Sequence, residues 1–143
     1  MRRVLVWLLC LSMLVSLCAC GKKAPAPPTE VDVDLSILSK TMVYGEVFQM
    51  VTEPEKYVGK TIKMRGLFNY FYDVVTEDNY YYCLIQDATA CCGQGIEFRL
   101  GGKHAFPDDY PQENEEFTVV GTFASYQEGE ETYYYVRDAV FVD

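Results

Sequence analysis

The sequence contains one histidine and one tryptophan, and its basic residues are few: 12 Lys and Arg against 21 Asp and Glu, a formal charge of -9. Phosphate backbones are held by clustered Lys and Arg, so this balance argues against a nucleic-acid partner. There is no Gly-x-Ser-x-Gly, no Walker loop, no His-Glu-x-x-His and no Asp-x-Asp-x-Asp-Gly calcium loop. With a single histidine, Cys–His catalysis would need His104 to reach Cys91 or Cys92, and no pattern in the sequence supports that. The expectation is a protein that is not an enzyme. No internal repeat of fixed period is present either. Half of the residues are hydrophobic, which excludes disorder of the whole chain, and 143 residues suffice for one ordinary domain.

Long apolar runs are also missing. The longest stretch, Val4 to Val15, is interrupted by Ser12 and falls short of the roughly 20 residues a membrane span requires. Behind Arg2 and Arg3 it reads as a signal peptide. Its end, Leu17-Cys18-Ala19-Cys20, resembles a bacterial lipobox. The resemblance implies that residues 1–19 are cleaved and that Cys20 carries lipid, a two-chain anchor in the bilayer. Loss of Arg2 and Arg3 would leave ten basic residues against 21 acidic ones.

Residues 20–40 are expected to form the lipidated Cys and a tether. Gly21 to Thr29 holds three prolines and no large apolar side chain, which favours an extended spacer. Val31, Val33, Leu35 and Ile37 then alternate with polar residues, as in a half-buried strand or an extended lead-in.

Residues 41–143 read as one mainly β domain. Val43, Val47 and Met50, with Tyr44, Phe48 and Val51, have helical spacing over 42–52, with Thr41 as N-cap and Pro54 beyond the end. Five strand-like segments follow: 61–73, 79–86, 96–100, 117–126 and 132–142. On the first, Ile62, Met64, Leu67 or Phe68, and Tyr70 or Phe71 are expected to face inward. Gly66 and Gly121 interrupt long strands, where a bulge or a sharp bend would let them pass between two sides of a small barrel. The pattern predicts a five-stranded OB-like β-barrel with one N-terminal helix.

Two segments carry a more specific signal. Pro54-x-x-Tyr57-x-Gly59-Lys60-Thr61 and Asp87-Ala88-x-Ala90-Cys91-Cys92-x-x-Gly95-Ile96-Glu97-Phe98 resemble small bacterial lipoproteins of unknown function with an OB-fold domain. The Cys-Cys segment is also similar to the extracytoplasmic part of YcgQ-type membrane proteins, a similarity that implies a role beside metal transport. The first resemblance implies a fold and a location, not an activity.

The cysteines carry the sharpest chemistry. The lipobox resemblance implies that Cys10 and Cys18 leave with the leader and that Cys20 is taken by lipid; Cys83, Cys91 and Cys92 would then remain, an odd set that cannot pair completely within one chain. A disulfide of Cys83 with Cys91 or Cys92 requires the loop to fold back on its strand. A vicinal Cys91–Cys92 bridge would be strained and easily reduced, which would make it a thiol redox element. A soft-metal site would use Cys91, Cys92 and Cys83, with His104, Asp87 or Glu97 completing it, and would take Zn or Cu. A purely structural role for all three also fits.

Tyr80–Tyr82 and Tyr133–Tyr135 place rings on both faces of their strands, one of them available to a peptide, sugar or wall fragment. The whole reads as a monomeric, membrane-anchored extracytoplasmic module with the lipid bilayer and a protein or cell-envelope component as partners, and no nucleic acid.

Overall fold

The computed structural model describes residues 27–28 and 30–143. The expected signal peptide, the expected lipid-bearing Cys20 and most of the Pro-rich tether lie outside the described residues. The described chain runs β1 (Val33–Asp34), a 3-10 turn (Leu35–Ile37), α1 (Lys40–Thr52), a 3-10 turn (Pro54–Lys56), β2 (Thr61–Asp73), β3 (Asp78–Gln86), β4 (Gly93–Leu100), β5 (Glu116–Glu128) and β6 (Glu131–Phe141). No helix among the described residues is long and apolar enough to cross a membrane.

The N-cap of helix α1 lies two residues before the expected Thr41. Ser39 is the N-cap, its Oγ accepting from the Met42 N–H at 3.4 Å. Val43, Val47 and Met50 form the buried stripe, while Met42, Phe48 and Val51 remain exposed. Pro54 opens a short turn whose product is Tyr57, a buried ring with its hydroxyl donating to Glu46 Oε1 at 2.8 Å and Gln49 Oε1 at 3.3 Å. The turn and the helix are thus fastened through one side chain.

The strands pair in the order β2-β3-β4-β6-β5, and β5 pairs again with β2, so five strands are hydrogen-bonded in a ring. This is the expected five-stranded OB-like arrangement. A sixth short strand, β1, lies parallel to β2, with Val33 opposite Ile62. The predicted alternation over 31–37 ends there: Leu35 is buried in the 3-10 turn but Ile37 is exposed.

Long β2 serves two partners. Thr61 to Leu67 pairs with β5, and Leu67 to Asp73 pairs with β3. The change of partner falls at Leu67, next to Gly66, where the strand passes from one side of the ring to the other. Its β5 register runs through Gly66 without a break, so the glycine marks a bend and a close approach rather than a bulge. At Gly121 the register against β6 does shift, between Val120 and Thr122, as a bulge does.

Ile62, Met64 and Phe68 point into the ring and are fully buried, whereas Tyr70 and Phe71 are exposed because β2 extends past β5 there. Phe68 is central, with its ring 6.3 Å from Phe98, 5.9 Å from Phe117 and 6.2 Å from Tyr81. Val119, Phe123, Val136 and Cys83 complete the core. Each large side chain buried this way contributes about 1.5–3 kcal/mol.

Candidate metal centre

The β3–β4 connection is short and tightly wired. Gln86 pairs with Gly93 across its base, and the Asp87 N–H donates to the Cys92 carbonyl at 2.9 Å. Ala90 takes a left-handed φ of 56°, an uncommon conformation for a residue with a Cβ, and its N–H donates to the Asp87 carbonyl at 3.1 Å. The Asp87 side chain then organises the loop interior. Its Oδ1 accepts from the backbone N–H groups of Thr89 and Cys91, both at 3.1 Å, in the manner by which Asp favours turns.

Three metal-competent side chains converge as a result. The sulfur of Cys91 lies 3.4 Å from Asp87 Oδ2 and 3.6 Å from the sulfur of Cys92. One ligand atom from each of Asp87, Cys91 and Cys92 lies within 4.8 Å of the others. Zinc–thiolate bonds are about 2.3 Å, so two sulfurs 3.6 Å apart subtend about 103° at one ion, close to a tetrahedral angle. Adjacent cysteines are an unusual ligand pair in sequence, and this loop sets them at a workable angle.

The electrostatics favour a cation. The modest burial of Asp87 acts to raise its pKa, but hydrogen bonds from Thr89, Cys91 and the loop backbone outweigh it and hold the carboxyl below its ordinary range. The Cys92 thiol is raised by its contact with Cys91 and by that neighbour's charge. A negative pair in this position is unfavourable until a cation offsets it.

The other predicted site residues lie elsewhere. Cys83 sits between Phe68 and Ile96 on the ladder, three pairs from the Gln86–Gly93 pair that closes the loop. It is fully buried among apolar groups, and burial pushes its thiol strongly upward. All three described cysteines are free, so the structure does not join Cys83 to Cys91 or Cys92. His104 follows the opposite end of β4. Its Nε2 donates to the Gly101 carbonyl at 3.0 Å, and its Nδ1 lies 3.8 Å from Asp109 Oδ2. Glu97 lies mid-strand on β4 and is engaged by Arg99 and Tyr126. The candidate centre therefore contains Asp87, Cys91 and Cys92 only.

Thr89 was not singled out from the sequence. Its hydroxyl lies 3.0 Å from Asp87 Oδ2 and 3.1 Å from the Cys91 sulfur, bridging two members of the cluster. The Asp-x-Thr spacing typical of side-chain-stabilised turns is the signal that marks it.

No protein-family model and no curated protein matches the chain. A solved structure that resembles it is described as a "putative nucleic acid-binding lipoprotein" from Klebsiella pneumoniae subsp. pneumoniae MGH 78578. The two share 17% identity with a TM-score of 0.47, over 70% of this chain and 88% of the other.

Proposed function

We propose that this chain is a membrane-anchored extracytoplasmic lipoprotein whose folded domain is a non-enzymatic binding module, and that the Asp87–Cys91–Cys92 loop is where it takes a soft metal ion. The lipobox-like Leu17-Cys18-Ala19-Cys20 supports the anchor. The convergence of one carboxylate oxygen and two sulfurs within 4.8 Å, on a loop that their own hydrogen bonds hold in shape, carries the metal reading. Two thiolates and one oxygen suit zinc or Cu(I) over hard cations. Three ligands from one loop leave a position open to solvent or to a second protein, as a delivery site requires. The resemblance of the Cys-Cys segment to proteins beside metal transport points the same way.

Anaerobic titration of the reduced full-length protein with zinc and with Cu(I) tests the reading. One equivalent is expected to bind, and Cys91→Ser or Cys92→Ser is expected to abolish binding at micromolar free metal. Absence of binding by the wild type to either ion refutes it. Mass spectrometry of the membrane-extracted protein tests the anchor separately: Cys20 is expected to be diacylated, and an unmodified Cys20 rules the anchor out.

A further inference from the structure

On the outer face of the ring, away from the cysteine loop, a carboxylate is buried where a strand would normally show a side chain to water. Glu97 stands opposite Tyr82 on β3 and Tyr135 on β6 and is 6% exposed. Its two oxygens are divided between two donors. Tyr126 donates its hydroxyl to Oε2 at 2.9 Å, and Arg99 donates Nε–H to Oε1 at 2.9 Å. Burial raises the Glu97 pKa, while these two hydrogen bonds oppose it.

The consequence falls on Arg99. Its guanidinium carbon lies 4.4 Å from the centre of the Tyr126 ring, 5.1 Å from Tyr135 and 5.8 Å from Tyr80. Glu97 fixes one edge of the group and the rings constrain its plane. Its terminal amino groups donate to no other side chain: among the described residues the side-chain hydrogen bonds of Arg99 run from Nε alone. The side chain is 48% exposed. A planar, immobilised fork with two free amino groups is the geometry that recognises a carboxylate or phosphate with two parallel hydrogen bonds.

Arg99 also borders a concavity of about 260 Å³, walled by Asn79, Tyr80, Tyr81, His104 and Tyr110. Sites for drug-sized ligands occupy about 300–1,000 Å³, so this one suits a single ring. The Tyr81 and Tyr110 rings in its wall are stacked on each other at 4.2 Å, so the lining offers phenol and amide groups that hydrogen-bond the hydroxyls of a sugar ring. Charge decides between the two anions. Asp78 also lines the concavity and the chain is acidic throughout, so one guanidinium suits a singly charged carboxylate better than a phosphate dianion.

We propose that Arg99 and this concavity form a binding site for a carboxylated pyranose, a sugar acid, with Arg99 reading the carboxylate and Glu97 acting as the residue that positions Arg99. This site is independent of the metal loop. The test titrates the full-length processed protein in detergent micelles with glucuronate, with glucose and with inorganic phosphate, by calorimetry and by amide chemical shifts. Glucuronate is expected to bind saturably and about tenfold or more tighter than glucose, the difference one bidentate pair supplies. Arg99→Gln is expected to remove that preference, and Arg99→Lys, which keeps the charge and loses the fork, to remove most of it, both with unchanged circular dichroism. Glu97→Gln is expected to reduce the preference for glucuronate over glucose while leaving glucose binding unchanged, which a merely structural role would not do. The proposal is overturned if glucuronate does not bind at millimolar concentration, if glucose or phosphate binds as well, if Arg99→Gln retains the preference, or if a single-stranded oligonucleotide occupies this face in place of the sugar acid.

Discussion

The carbonyl oxygen of Leu84 stands 2.6 Å from the point where a side chain at Gly66 would begin, and the sulfur of Cys83 stands 2.8 Å from it. Backbone atoms cannot yield as a flexible side-chain tip can. Gly66→Ala is therefore expected to destabilise the domain by about 1–3 kcal/mol, as overpacking does. Gly45 is the control. It lies in α1 with nothing within 4 Å of its own added Cβ, so Gly45→Ala is expected to stabilise by about 0.5–1 kcal/mol through helix propensity. Urea denaturation midpoints of the two variants should move in opposite directions.

The candidate metal loop separates from the rest of the protein by substitution. Asp87→Ala removes a proposed ligand and the acceptor of two loop N–H groups, and is expected to weaken metal binding by about tenfold or more. His104→Ala is expected to leave it unchanged, because that ring lies beyond the other end of β4. Competition against a chromophoric chelator reads both. A loss with His104→Ala equal to that with Asp87→Ala would show the ligand set to be wrong.

Glu97 gives a stability prediction with a pH signature. Glu97→Ala leaves the Tyr126 hydroxyl and the Arg99 Nε–H without their acceptor, at a cost of about 1–3 kcal/mol. The native carboxyl binds its proton more tightly than the unfolded chain does, because burial raises its pKa. The associated stability is present in full below the unfolded value near 4.5 and is lost as pH rises through the higher native one. Glu97→Gln has no such loss, so the stability of the variant relative to wild type should increase over that interval in thermal melts recorded at stepped pH.

At the alkaline end the marker is Tyr57. Burial, then its hydrogen bond to Glu46, push its hydroxyl from 10.0 up to about 12. The stability tied to the neutral phenol holds below pH 10 and declines as pH rises toward 12. Tyr57→Phe is expected to be less stable at pH 7 by about 1–3 kcal/mol, through loss of a bond to a carboxylate, and to narrow that gap above pH 10. Equal gaps at pH 7 and pH 11 would show that the hydroxyl is not the responsible group.

Much of the frame was readable from hydrophobic period alone. The segment 61–73 is the first long strand to the residue, and the other four are located within a few positions, because half-buried strands alternate and turns are marked by Gly, Pro and acids. Partner choice was less accessible. Nothing local says that β2 leaves β5 for β3 at Leu67, so the outward turn of Tyr70 and Phe71 emerges only with the paired strands. The helix cap moved from Thr41 to Ser39 because either hydroxyl satisfies the rule and tertiary packing selects the start. At the candidate centre, Cys91 and Cys92 were identifiable as residues, but their mutual angle depends on Asp87 accepting two backbone N–H groups. Cys83 and His104 were separated from them by ladder register, which one strand's sequence does not encode. The Glu97–Arg99 pair escaped notice because an alternating strand normally shows such charges to water. Here tyrosines of the two neighbouring strands, with Tyr126 of β5, surround one of them.

The ring closes between Thr61–Leu67 and Glu116–Thr122, segments about fifty residues apart in the chain. The hairpins β2–β3 and β5–β6 join near neighbours and can assemble early, whereas the β2–β5 seam must wait until almost the entire domain has been synthesised. Such non-local closure is slow compared with hairpin formation. Until it occurs, one side of β2 and one side of β5 offer unpaired backbone to any other strand. During its biogenesis the protein therefore passes through a period of exposure to mispairing, whose length is fixed by the placement of its first and fourth ring strands.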